Sequence, residues 1–280
     1  MSSQYLTQKA LQTKNGKIIY YADISFPERP TVFLLHGLAS NHTTWLNIMD
    51  FLHSNKYNSI APDLRGHGFS DKTKNKKLYE LSIFSADLLG ITKQENVSNL
   101  VLVGYSFGGG IAIDYADRYP EHVNGLVLIS VNHKEPLQYV GLKFLTPVVS
   151  GFFNLAAALL SWQKRANYHY YKHGKIVGYW DSVQDGLRTM PISVNFWMLA
   201  QTFRIDLEDA IRRIKVPTTI VYGKRDAFVT RAEIDDMTQA MPGAEVVVSN
   251  NSSHFVSTNS QNETAEIVIN FLKNHENSHF

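Results

Sequence analysis

The hydrophobic positions of the chain fall into two kinds of run that alternate. Short strand-like stretches stand at Thr31–Leu35, 59–61, 100–103, Val123–Ile129, 216–222 and Glu245–Ser249, and the continuous apolar run at Thr31–Leu35 suits a strand buried on both faces. Between them, apolar residues recur at helical spacing over 43–53, 78–94, 107–119, 231–241 and 263–274. Strands that alternate with helices predict an α/β fold, a mostly parallel doubly wound sheet covered on both sides. Residues 17–26 read as a further strand, paired with one before it through the turn at Asn15-Gly16, which predicts an antiparallel edge.

The rhythm stops between about 132 and 204 and no strand resumes until Thr218. That is too long for a connecting loop, so it predicts an inserted segment with helices of its own. The chain then divides into a core made of residues 1–133 and 206–280, with a helical cap at 134–205. Residues 144–162 carry no charge, which raises the question of a transmembrane span. Pro147, Gly151 and Asn154 are expected to interrupt it and the flanks lack a strong basic bias, so the reading is apolar cap helices and no transmembrane segment. The stretch holds more apolar surface than a helix covering a sheet on one side needs. It is expected either to pack against cap helices containing Trp180 and Trp197, or to line an apolar pocket through residues such as Phe152 and Phe153. His169 and His173 stand four residues apart but lack a third ligand nearby, so no metal site is expected.

Composition removes several function classes. The formal net charge of +2 comes with scattered basic residues and no sustained block, which gives no electrostatic footprint for nucleic acid or a strongly anionic membrane. The absence of cysteine excludes disulfides and thiolate chemistry. The first 17 residues are polar, without the apolar core of a signal peptide, so a cytoplasmic location is the expectation. Whether the chain forms a homodimer is left open.

The chemistry gathers on Gly104-Tyr105-Ser106-Phe107-Gly108, which follows one apolar run and opens a helical segment. A serine on such a strand-to-helix turn is held in a strained backbone conformation, with glycine at the crowded positions on either side. Its hydroxyl stands above the first turn of a helix, where the N–H of Phe107 and the helix dipole can stabilise negative charge on a substrate oxygen. Ser106 is therefore the candidate nucleophile. Two more groups follow predicted parallel strands and so lie at the same sheet edge: Asp226, which could instead cap the next helix, and His254, which could be an ordinary loop histidine. Asp235 and Asp236 fall within a helix and are poorer candidates for the acid. The N–H of Leu38, after His36-Gly37, is the candidate second oxyanion donor. His36 is read as ordering that loop, and Asp63, Arg65 and His67 as a hydrogen-bonded structural loop.

Together these segments resemble the α/β-hydrolase-fold serine hydrolases, the subgroup with monoacylglycerol-lipase-like enzymes and small carboxylesterases. His36-Gly37, Asp63-Leu64-Arg65-Gly66-His67-Gly68-Phe69-Ser70, Gly104 to Gly109, Lys215-Val216-Pro217, Gly223 to Asp226 and His254-Phe255 carry the resemblance, and the order Ser106, Asp226, His254 is the family's. It implies a cofactor-free esterase or lipase acting through an acyl-enzyme on a small-molecule ester, with an apolar acyl chain. A thioesterase, a carbon–carbon bond hydrolase, a lyase, or a silent relative that only binds ligand would share the scaffold. Relatives that place aspartate at the elbow, such as haloalkane dehalogenases and soluble epoxide hydrolases, are argued against by Ser106.

Overall fold

The structure is a computed structural model that describes residues 4–161, 190–250, 253–254 and 261–279. The expectations placed on Trp162, His169, His173, Trp180 and Phe255 lie outside these residues. Eight strands form one sheet: β1 (Thr7–Thr13), β2 (Gly16–Asp23), β3 (Thr31–Leu35), β4 (Asn58–Pro62), β5 (Leu100–Tyr105), β6 (Val123–Ile129), β7 (Thr218–Gly223) and β8 (Glu245–Ser249). Their spatial order is β1-β2-β4-β3-β5-β6-β7-β8. The β1–β2 hairpin turns between Thr13 and Gly16 and pairs antiparallel onto β4, and every other pairing is parallel. The antiparallel edge read from residues 17–26 is present.

The continuous apolar run of β3 is explained by burial on both faces. Along β3, Phe33 and Leu35 join one core cluster while Val32 and Leu34 join the other, as side chains of period two must. Helices α2 (Leu81–Glu95) and α3 (Phe107–Arg118) cover the first face through Phe84, Leu88, Ile91, Ile111 and Tyr115. Helices α1 (Leu46–Ser54) and α8 (Gln261–His279) cover the second through Ile48, Leu52, Val268 and Leu272. Strand β5 therefore lies deep in the sheet between β3 and β6, and its carboxyl end carries Ser106.

Between β6 and β7 run α4 (Thr146–Leu160), α5 (Ile192–Thr202) and a short α6 (Glu208–Arg213). Pro147 does not interrupt the first of these: it stands in the opening turn, where a missing N–H costs nothing, and the helix runs unbroken past Gly151 and Asn154. The two ends of the insertion are tied where the N–H of Leu207 donates to the carbonyl of His133, 2.7 Å. Helix α5 leans on the core through Trp197 beside Tyr79 and through Gln201, whose Nε2 donates to the Tyr79 carbonyl at 2.6 Å. Helix α7 (Arg231–Ala240) follows β7, capped by Thr230 with Glu233 in a reciprocal capping box.

Candidate active site

Ser106 has φ 51° and ψ −116°, a conformation that few non-glycine residues adopt and that the surroundings must impose. They do so from both sides. The Ser106 N–H donates to the Ile129 carbonyl at 2.9 Å, and its own carbonyl accepts from Gly109 N–H at 2.9 Å. No side chain fits at the two flanking positions: a Cβ on Gly104 would sit 2.5 Å from the Gly109 Cα, and one on Gly108 would sit 2.3 Å from the Leu35 carbonyl oxygen. The sharp turn is thereby fixed, with the serine hydroxyl turned toward the strand ends.

His254 meets it there. Its Nε2 lies 3.1 Å from the Ser106 Oγ, and its Nδ1 lies 3.0 Å from Asp226 Oδ2 and 3.2 Å from Oδ1. Phe228 and Tyr105 pack against the imidazole at ring-centre distances of 5.0 and 5.6 Å. Sequence reasoning did not single out these two, because nothing in their own neighbourhoods signals a partner so far along the chain.

Asp226 does not cap α7, since Thr230 does. Instead its Oδ1 accepts from the N–H groups of Phe228 and Val229 at 2.8 and 2.9 Å, closing the loop that carries it. Asn132, three residues past the end of β6, braces the same loop by donating to the Phe228 carbonyl at 3.2 Å and to Glu233 at 2.6 Å. Burial alone would raise the Asp226 pKa, but the His254 contact and the two amides outweigh it and hold the carboxyl below its usual range. Asp235 and Asp236 are engaged elsewhere: Asp235 pairs with Arg231, and Asp236 with Lys134 and Tyr139.

The loop with Leu38 runs beside the serine, since a Cβ on Gly37 would be 3.5 Å from the Ser106 Cβ. Two buried histidines hold it. His36 Nδ1–H donates to the Gly37 carbonyl at 2.8 Å while its Nε2 accepts from Leu64 N–H at 3.0 Å. His67 Nε2 accepts from Ala39 N–H at 3.3 Å, and its Nδ1–H donates to the Arg65 carbonyl at 3.1 Å. Phe107 is the first residue of α3, so its N–H has no acceptor within the helix. The arrangement can move a proton from a hydroxyl to an imidazole backed by a carboxylate, beside the first backbone N–H of α3. Asp63 and Arg65 have structural partners, His42 with Phe69 N–H and Asp87 respectively. Among the described residues, no group of three or more His, Asp or Glu side chains is placed to hold a metal ion.

Both loop histidines accept a hydrogen bond, so both must be neutral in the folded protein. Burial pushes the His36 pKa down to about 4, against the raising effect of the Gly37 carbonyl, and burial lowers His67 well below its ordinary value. An unfolded histidine binds a proton below about pH 6.5. Between that pH and about 4 the unfolded state holds the extra proton, so stability falls as the solution is acidified. For a histidine held neutral the loss is about 2 kcal/mol at pH 5. The urea midpoint is therefore expected to drop between pH 7 and pH 5, with a shallower slope in His67→Gln. An equal midpoint at both pH values would show that these imidazoles are not held neutral.

The model of the alpha/beta hydrolase fold matches residues 30–259. The chain belongs to that family. Curated relatives of the hydrolase include 2-(acetamidomethylene)succinate hydrolase of Mesorhizobium japonicum, 26% identical over 87% of this chain and 88% of that one. Epoxide hydrolase 3 of Xenopus tropicalis is 26% identical over 92% and 76% of the two chains. A monoacylglycerol lipase of Homo sapiens is 25% identical over 89% and 77%. Among solved structures, an esterase from Exiguobacterium antarcticum superposes with a TM-score of 0.75 at 20% identity, covering 95% of this chain and all of its own, a likeness of fold. These relatives act on several bond types, so membership makes the chain a hydrolase of this family and leaves its bond to be argued from the site.

Proposed function

We propose that the protein is a serine hydrolase that cleaves carboxylic esters of apolar acyl chains through an acyl-enzyme intermediate, with Ser106, His254 and Asp226 as its catalytic triad. The observation that carries this reading is the continuous contact from Ser106 Oγ through His254 to Asp226, made at a strained strand-to-helix turn. An aspartate-dependent mechanism of the kind used by some epoxide hydrolases has no carboxylate at this turn, because the residue there is Ser106.

In the reaction, His254 Nε2 takes the proton of Ser106 as the oxygen attacks the ester carbonyl. The resulting oxyanion accepts hydrogen bonds from the N–H groups of Leu38 and Phe107, while Asp226 stabilises the imidazolium. Collapse breaks the bond to the alcohol, which leaves with the proton from Nε2. Water, deprotonated by the same imidazole, then releases the acid and restores Ser106.

The apolar acyl chain is supported by the lining available. Phe107 belongs to, and the partly buried Leu38 packs against, the core cluster that also contains Val194, Trp197 and Met198 of α5, which acts as part of the cap. Phe153 is not free to line a pocket, since it stacks on Phe196 and Phe203 at 5.8 and 5.6 Å, and Phe152 is exposed to solvent. The expectation of these two as pocket residues is therefore withdrawn: Phe153 packs among the helices and Phe152 faces solvent. Each methylene buried from the substrate contributes about 0.8 kcal/mol, so three separate substrates by roughly two orders of magnitude. The kcat/KM for p-nitrophenyl octanoate is expected to exceed that for the acetate, and a ratio at or below one would overturn the apolar acyl assignment.

A further inference from the structure

Helix α4 carries no charge, and its two sides have different fates. The inner side is packed, with Phe153 stacked on Phe196 and Phe203 and with Ala157 buried. On the outer side, Val148, Phe152, Leu155 and Leu159, with Phe144 in the 3-10 turn that leads into the helix, are each between 60% and 72% exposed. Their spacing of four, four, three and four residues keeps them in one stripe, about 22 Å long at the rise of a helix. The other exposed helical positions on α4 are Pro147, Gly151 and Ala158, so this face presents no charged or hydrogen-bonding side chain. A helix at the surface of a water-soluble domain ordinarily turns polar residues outward. The stripe exposes roughly 500 Å² of apolar surface, at the upper end of what a monomer shows.

We propose that this face seats the protein on an anionic lipid surface, with α4 lying in the membrane interface. Three observations favour a bilayer over a second copy of the chain. A self-pairing of the stripe would bury roughly 500 Å² per copy, short of the ~800 Å² per partner of a stable complex. Protein interfaces also carry about one hydrogen bond per 100–200 Å², and this face offers no side chain to make them, whereas acyl chains require none. Charge points the same way: residues 136–161 and 190–205 contain no Asp or Glu, while Lys143 and Arg204 stand exposed. In the sequence the acid-free stretch extends over 136–180 and holds five Lys or Arg, although the whole chain is only +2. The scattered basic residues that argue against an anionic membrane for the chain as a whole thus conceal one stretch of sequence, containing α4, whose only charges are positive. The stretch Lys143–Leu160 is long and apolar enough to cross a membrane and only 17% buried. Because its inner side is occupied by α5 and Phe203, it lies on the surface instead of spanning it.

The proposal is independent of the reaction assigned to Ser106. Its test is sedimentation of the full-length protein with vesicles of phosphatidylcholine alone and of phosphatidylcholine mixed with phosphatidylglycerol. Wild type is expected to sediment with the mixed vesicles, less so at high salt. The Phe152→Ser/Leu155→Ser variant is expected to lose at least about tenfold in partitioning while hydrolysing a soluble acetate ester at the parental rate. The retained rate shows that the variant is folded. Failure to sediment with either vesicle, or equal sedimentation of the variant, would overturn the proposal. So would a dimer in sedimentation velocity without lipid that the same variant dissociates, because the face would then be a protein interface.

Discussion

Ser106→Ala is expected to fold like the parent and to lose more than about 10³-fold in kcat/KM on p-nitrophenyl octanoate. The substitution removes one oxygen from a turn whose geometry is set by other atoms. The Ser106 backbone bonds to Ile129 and Gly109 remain, as do the close approaches of Gly104 and Gly108 that the turn requires. The positive φ is unchanged in difficulty, because alanine and serine both carry a Cβ. What disappears is the atom 3.1 Å from His254 Nε2, and with it the covalent route. Residual hydrolysis is then limited to what the backbone donors and binding provide. Equal circular dichroism with turnover at the parental rate would remove Ser106 from the chemistry.

Asp226→Asn is expected to cost on the order of 10⁴ in kcat with little change in fold. An asparagine keeps an Oδ1 that can accept from Phe228 and Val229 N–H, so the loop retains its closure. Its amide would face His254 Nδ1, however, and an N–H there needs an acceptor. That selects the imidazole tautomer protonated on Nε2, the one unable to take a proton from Ser106. Asp235→Asn and Asp236→Asn break contacts to Arg231 and to Lys134 and Tyr139, and are expected to keep activity within a few-fold of the parent. A crippled Asp235 or Asp236 variant beside an active Asp226→Asn would assign the acid elsewhere. Since neighbouring donors hold the Asp226 carboxyl below its usual range, it stays ionised down to mildly acid pH.

Much of this arrangement is legible in the sequence because it depends on local rules. The runs Thr31–Leu35, Val123–Ile129 and Glu245–Ser249 have the bounds of β3, β6 and β8, and along β3 burial on both faces leaves no polar position between Thr31 and His36. Ser106, Asp226 and His254 were identifiable by position, each following a strand on the same sheet edge. What was not legible depends on direction or on distant partners. The six residues of α6 are too few and too charged to show a period. Pro147 reads as an interruption until its place in the first turn of α4 is known. Periodicity finds the buried side of a helix only when the other side is polar, and on α4 the polar Thr146 and Ser150 are themselves buried, so the pattern gave no sign that Phe153 turns inward and Phe152 outward. The supports of the site, such as His67 on Ala39 and Asn132 on Phe228, join residues 28 and 96 positions apart that no motif links.

The central claim is that Ser106 is a nucleophile activated by His254, and covalent capture tests it most directly. The full-length protein is treated with a fluorophosphonate at neutral pH, and the adduct is located by peptide mass spectrometry. The account predicts one phosphonyl group per chain, on Ser106, with loss of esterase activity in proportion to labelling and no adduct in Ser106→Ala. Full activity in unlabelled protein after prolonged treatment, or an activity-abolishing adduct on a different residue, would contradict it.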